Sequence, residues 1–150
     1  MQNQQKGFTL IELMVTIAVM AIIAMMAAPS FGDMLQRQNL NKSTRELVAT
    51  LNQARAKAAL ERREITVTLN SVVANTGNTL NWAPQGKVVL GTRSPTTIVF
   101  MPNGLVRDQA VGTETTFSLC DDVQASAKYS KTVSISRMGT IQQIVDGDCS

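Results

Sequence analysis

One carboxylate stands alone in a long apolar run. From Phe8 to Ala28 nearly every residue is apolar, and Glu12 is the only charge. Taking an isolated acid into hydrocarbon costs about 2.5–3.5 kcal/mol or more, so Glu12 needs a partner of opposite sign. Forming an ion pair is the chemistry this stretch can do. Two thiols, Cys120 and Cys149, can form one disulfide closing a loop of ~30 residues and tying the C-terminus to the body, with about 3–4 kcal/mol from loop entropy. The alternative is two unpaired thiols; with no histidine in the chain they make a poor zinc site. Asp121, Asp122, Asp146 and Asp148 flank the cysteines and can gather oxygens for calcium, or stay as solvated loop acids. Without histidine there is no Ser-His-Asp or Cys-His arrangement. No glycine-rich loop follows a strand and opens a helix. No catalytic residue, cofactor or metal is therefore assigned, and the class of reading is structural rather than enzymatic.

The elements around these residues follow from periodicity. An apolar segment of about 20 residues at ~1.5 Å rise crosses a ~30 Å hydrocarbon core. Residues 8–29 read as such a helix, and Lys6 ahead of it marks the cytoplasmic side, leaving the C-terminal part outside the inner membrane. A secretory signal cut near Ala27-Ala28-Pro29 is the competing reading, but the apolar core is too long and contains Glu12. Pro29 and Gly32 interrupt the run and predict a bend. Over residues 30–63 an amphipathic helix resumes, with Leu40, Thr44, Leu47, Leu51, Ala54 and Ala58 on one stripe. Lys42, Arg45, Arg55 and Arg62 fall mainly elsewhere around it.

From residue 64 the chain reads as strands and turns. Strands are expected at Ile65–Val73, Thr79–Trp82, Lys87–Leu90, Thr96–Met101 and Thr115–Cys120. Lys131–Arg137 and Thr140–Val145 form a hairpin around Met138-Gly139, and turns fall at Asn75–Asn78, Pro84–Gly86 and Pro102–Gly104. The fold class is α+β: one long N-terminal helix packed on a C-terminal antiparallel sheet domain. The net charge is +3 and the pI about 9.1. Between Pro29 and Glu64 seven basic residues meet four acids; from Ile65 onward six meet six. The excess sits on the helix and not on the body that follows.

Lys6-Gly7-Phe8-Thr9-Leu10-Ile11-Glu12 resembles the processing site of type IV pilins and of the pseudopilins of type II secretion systems. Ile98–Gly104 and Val133–Gly139 resemble the "F-x-P-x-G" and "V-S-x-x-G" elements of the GspH/FimT group of minor pilins (FimU/FimT-like) and minor pseudopilins. The resemblance implies a leader over residues 1–7, cleavage by a prepilin peptidase between Gly7 and Phe8, and N-methylation of Phe8. It also implies that Glu12 pairs with the terminal amine of a neighbouring subunit. Residues 8–29 then form the transmembrane and filament-core helix, 30–63 its amphipathic half, and 64–150 a periplasmic head. The implied partners are other minor pilins or pseudopilins, the major pilin, the peptidase and methyltransferase, and the inner-membrane assembly platform. The implied location is the inner membrane, single-pass, then a pilus or pseudopilus. The implied function is a minor pilin that helps prime assembly as a tip-proximal subunit in twitching, adhesion or DNA uptake. The alternatives are a GspH-type pseudopilin of type II secretion and a DNA-binding pilin for transformation. The last uses a basic G-R-x-R element; here Gly139-Thr140-Ile141-Gln142 lacks both arginines. Arg137, Lys128 and Lys131 leave only a residual basic character, so DNA is not the expected partner.

Overall fold

The computed structural model describes residues 8–107, 114–123, 125–147 and 149, the side chains of 26–30 and 114 excepted. The expected leader, with Gly7, and Asp148 lie outside the described residues, as does the Pro29 side chain. One helix, α1 (Leu10–Glu61), is followed by seven strands: β1 (Ile65–Leu69), β2 (Thr79–Trp82), β3 (Val89–Leu90), β4 (Thr97–Phe100), β5 (Glu114–Cys120), β6 (Ser130–Ser136) and β7 (Ile141–Asp146).

Helical backbone continues from Leu10 through Pro29 and Gly32 to Glu61. The chain divides into two compact units between Leu35 and Gln36. In the first, the described side chains from Phe8 to Met25 are all exposed. Among the described residues no helix is long and apolar enough to cross a membrane.

In the second unit the 3.6-residue stripe is buried as its spacing requires. Leu40, Thr44, Leu47, Leu51, Ala54 and Ala58 pack into the core, while Lys42 and Arg45 face solvent. Ala54 and Ala58 let the sheets approach the helix closely. The Thr44 hydroxyl donates to the Leu40 carbonyl at 2.7 Å, so its burial leaves no unmet polar group. The helix ends where Arg62 turns left-handed, φ 51°. A side chain in that conformation is strained, and glycine is the usual residue there. Arg62→Gly is therefore expected to stabilise the protein by about 0.5–1 kcal/mol, seen as a higher urea midpoint; an unchanged or lower midpoint refutes this.

Two sheets cover the buried stripe. One has the order β2-β1-β4, the other β3-β5-β6-β7. In β1, Ile65, Val67 and Leu69 point inward and Thr66 and Thr68 alternate outward. The strand ends at Leu69, short of Val73, because Asn70 adopts φ 57° and turns the chain. β1 pairs antiparallel with β4, and the second sheet is antiparallel throughout. β1 and β2, however, run parallel, with Thr66 opposite Thr79 and Leu69 opposite Trp82. The nine residues between them are long enough, at about 3.3 Å each, to carry the chain back along a five-residue strand. Side chains hold that return: Arg63 donates to the Gly77 carbonyl at 2.6 Å, and Asn75 accepts from the Asn81 amide at 2.7 Å.

The two sheets meet through a pair of turns. The Val106 amide donates to the Arg137 carbonyl at 2.8 Å. Gly104 (φ 78°) and Gly139 (φ 71°) lie at that junction against the Arg55 side chain. A Cβ on Gly139 would stand 2.5 Å from the Gly104 carbonyl oxygen, so glycine is required by space as well as by φ. The two short motifs read in the sequence thus form one structural joint over the helix.

Candidate functional site

The N-terminal segment places its groups by helix-capping chemistry. Thr9 precedes the first turn; its hydroxyl accepts from the Glu12 amide at 3.3 Å and its carbonyl from the Leu13 amide at 3.2 Å. Thr9 is thus the N-cap, with Glu12 at the third helical position supplying its backbone amide; the T-x-x-E spacing is that of a capping box, of which the Thr9 hydroxyl bond is the half observed. An acid there also suits the positive end of the helix dipole. The Thr9 cap was open to view in the residue spacing beside the inter-subunit role expected of Glu12. Phe8 is 83% exposed, and Leu10, Ile11, Leu13 and Met14 are all more than half exposed. The acid therefore sits in an uncovered apolar surface, one turn from the segment that holds the expected cleavage point.

In the second unit the disulfide Cys120–Cys149 is formed, with Cα atoms 5.8 Å apart. It ties the C-terminal tail to the end of β5. Beside it, Asp121 is 1% exposed, and one carboxylate oxygen accepts from the Lys128 and Tyr129 amides at 2.9 and 3.1 Å. The Asp121 amide donates to the Tyr129 carbonyl at 3.0 Å. Asp121 is thus the internal clamp of the β5–β6 loop and not a solvated acid. Asp122 faces Lys87 at 3.8 Å, and Asp146 takes a 2.8 Å hydrogen bond from Lys131. That bond, then the charge of the Lys131 ammonium, holds the Asp146 carboxyl below the usual carboxylate range. The three described acids each have a separate partner. Among the described residues no group of acids, cysteines or histidines could hold a metal ion.

A groove of about 430 Å³ opens between helix residues Arg37, Leu40 and Asn41, the stretch Lys128–Lys131, and tail residues Asp146 and Gly147. The Arg37 guanidinium lies 3.9 Å from the centre of the Tyr129 ring. The Ser130 hydroxyl donates to the Gly147 carbonyl, joining β6 to the tail. Nothing in the sequence pattern marked this site, because Arg37 and Tyr129 are remote in the chain and share no periodicity. Thr140 and Gln142, which stand where a DNA-binding hairpin carries arginines, are exposed, as is Arg137.

A capped apolar helix, its second half buried under two β-sheets, with the tail disulfide-bonded, defines a pilin-like subunit. Residues 2–28 match the prokaryotic N-terminal methylation motif, and residues 43–139 match the family described as type II transport protein GspH. The chain belongs to that family. The fold matches the crystal structure of the Pseudomonas aeruginosa type IV minor pilin FimU with TM-score 0.53 and 22% identity, over 76% of this chain and 97% of that one. A fimbrial protein of P. aeruginosa is 43% identical over 61 residues, 41% of this chain and 39% of its own. The type IV major alpha-pilin of Moraxella bovis is 45% identical over 47 residues, 31% of this chain and 30% of its own. The chain thus spans about two-fifths or less of the curated relatives it matches.

Proposed function

We propose that this protein is a minor type IV pilin. It is cleaved between Gly7 and Phe8, methylated at Phe8, and built into a pilus near its tip, where it helps prime assembly with other minor pilins and the major pilin. The observation that carries this reading is the exposed apolar surface running from Phe8 to Met25 with a single acid in it. Such a surface needs cover. A bilayer supplies it before assembly, with residues 8–29 as the single inner-membrane span and the head in the periplasm. The packed helices of a filament supply it afterwards, with Pro29 and Gly32 allowing a bend between the two settings. The methylation motif supports the processing step, and the two-sheet head supports a structural role of docking rather than catalysis. Peptidase, methyltransferase and assembly platform are the transient partners.

A GspH-type pseudopilin of a type II secretion system is the second reading, favoured by the description of the family matched over residues 43–139. The two share cleavage, span and entry through Glu12, and differ in the filament joined. Mass spectrometry of the protein from membranes is expected to find a mature chain beginning with methylated Phe8. A chain still beginning at Met1, or cut near Ala28, refutes both readings. Co-purification with pilus subunits or with secretion pseudopilins separates them.

A further inference from the structure

The groove at Arg37 is built from three separate parts of the chain and fixed at each. Asp121 clamps the backbone of Lys128 and Tyr129, the disulfide holds the tail, and the Ser130–Gly147 bond closes one wall. Stacking on Tyr129 sets the guanidinium of Arg37 as a planar donor at the rim. Among the described residues three cations, Arg37, Lys128 and Lys131, line the groove, and one carboxylate, Asp146, takes a 2.8 Å hydrogen bond from Lys131. Buried Leu40 gives an apolar patch at its base. This combination suits an anionic group on a short stem: the donors take the charge and the base takes the methylenes.

We propose that this groove receives an acidic side chain, aspartate or glutamate, from a neighbouring protein subunit. Such a carboxylate adds to the contacts that Arg37 and Lys128 already make. The observations favour one carboxylate over a polyanion. Asp146, with its side chain 86% exposed, remains charged beside the groove and repels an anionic strand laid across it. From Ile65 onward the chain has as many acids as bases, a balance that does not favour phosphate-backbone binding by the body. That the partner is a filament neighbour rests on the proposed function; that the groove binds an acidic segment does not.

The test uses the full chain in detergent micelles, with no filament. Tyr129 is the only tyrosine, so ring-labelled tyrosine gives one NMR reporter at the site. A capped Gly-Glu-Gly peptide, which carries a single carboxylate, is expected to shift that signal saturably, and a capped Gly-Gln-Gly peptide is not. Arg37→Gln and Lys131→Gln are each expected to weaken binding about tenfold, the loss of one charge-assisted hydrogen bond. Lys42→Gln, on the same helix outside the groove, is expected to leave it unchanged. The proposal is overturned if the single-glutamate peptide gives no saturable shift, or if both groove variants bind as wild type does. It is also overturned if inorganic phosphate or a short DNA duplex displaces the peptide at a lower concentration than the peptide itself needs.

Discussion

Glu12→Gln is expected to leave the protein processed and in the membrane but to reduce its recovery in sheared filaments by on the order of 100-fold. The size follows from what the substitution removes. A terminal amine and a carboxylate meeting in apolar surroundings each cancel part of the other's desolvation cost, and losing one partner costs about 3–5 kcal/mol. At about 1.4 kcal/mol per decade that is roughly two to three and a half orders of magnitude in the equilibrium for docking a subunit. Glutamine is the informative choice because Glu12 has two possible jobs. It stands at the third helical position, where its amide donates to the Thr9 hydroxyl, and at that T-x-x-E spacing glutamine suits the helix start as glutamate does. Both variants keep the amide that Thr9 caps; Glu12→Gln loses only the charge, whereas Glu12→Ala loses the polar side chain as well. Failure of both variants to enter filaments assigns the role to the charge. Normal incorporation of Glu12→Gln with failure of Glu12→Ala assigns it to the uncharged part of the side chain, and the inter-subunit pairing is then wrong.

Several features were legible because they are local or periodic. The stripe from Leu40 to Ala58 repeats at three and four residues, and each position is buried as that spacing demands. The alternation in Ile65–Leu69 and the turn at Pro102-Asn103-Gly104 follow the same logic at shorter range. Other features carry no such mark. The return of β2 alongside β1 in parallel uses the same turn residues, Asn75 to Asn78, that an antiparallel hairpin would use; which way the chain goes is decided by its length and by Arg63 and Asn75. Asp121 reads in sequence as one of four acids around the cysteines, a calcium oxygen or a solvated loop acid. Only the fold shows it buried and accepting two amides from across its own loop. The Arg37–Tyr129 stack joins the helix to the residue just before β6, across most of the chain. What the sequence withholds is long-range pairing of single residues, and the groove is made of such pairings.

Phe100→Ala is expected to destabilise the protein by about 3–5 kcal/mol, the range for emptying an aromatic side chain from a packed core. Phe100 is fully buried at the end of β4, opposite Ile65 of β1, which is also fully buried, and it bridges to Val106. It also opens the Phe100-Met101-Pro102-Asn103-Gly104 element. The Gly104 amide of that element donates to the Met101 carbonyl at 2.8 Å, and the turn beyond meets Gly139. The lost ring thus removes contacts at the place where the two sheets are joined, which leaves little room for neighbours to collapse into the cavity. Against a total stability on the order of 5–15 kcal/mol, this single change consumes a large share. Trp82, the only tryptophan and itself buried, reports the unfolding by fluorescence in the detergent-solubilised chain. Phe31→Ala is the matched control: Phe31 is 70% exposed, and its loss is expected to shift stability by no more than about 0.5 kcal/mol. Equal urea midpoints for the two variants contradict the core assigned to β4. A wide separation also shows that the exposed helix can be altered without touching the head, which is the condition for reading any assembly defect at Glu12 as one of docking rather than of folding.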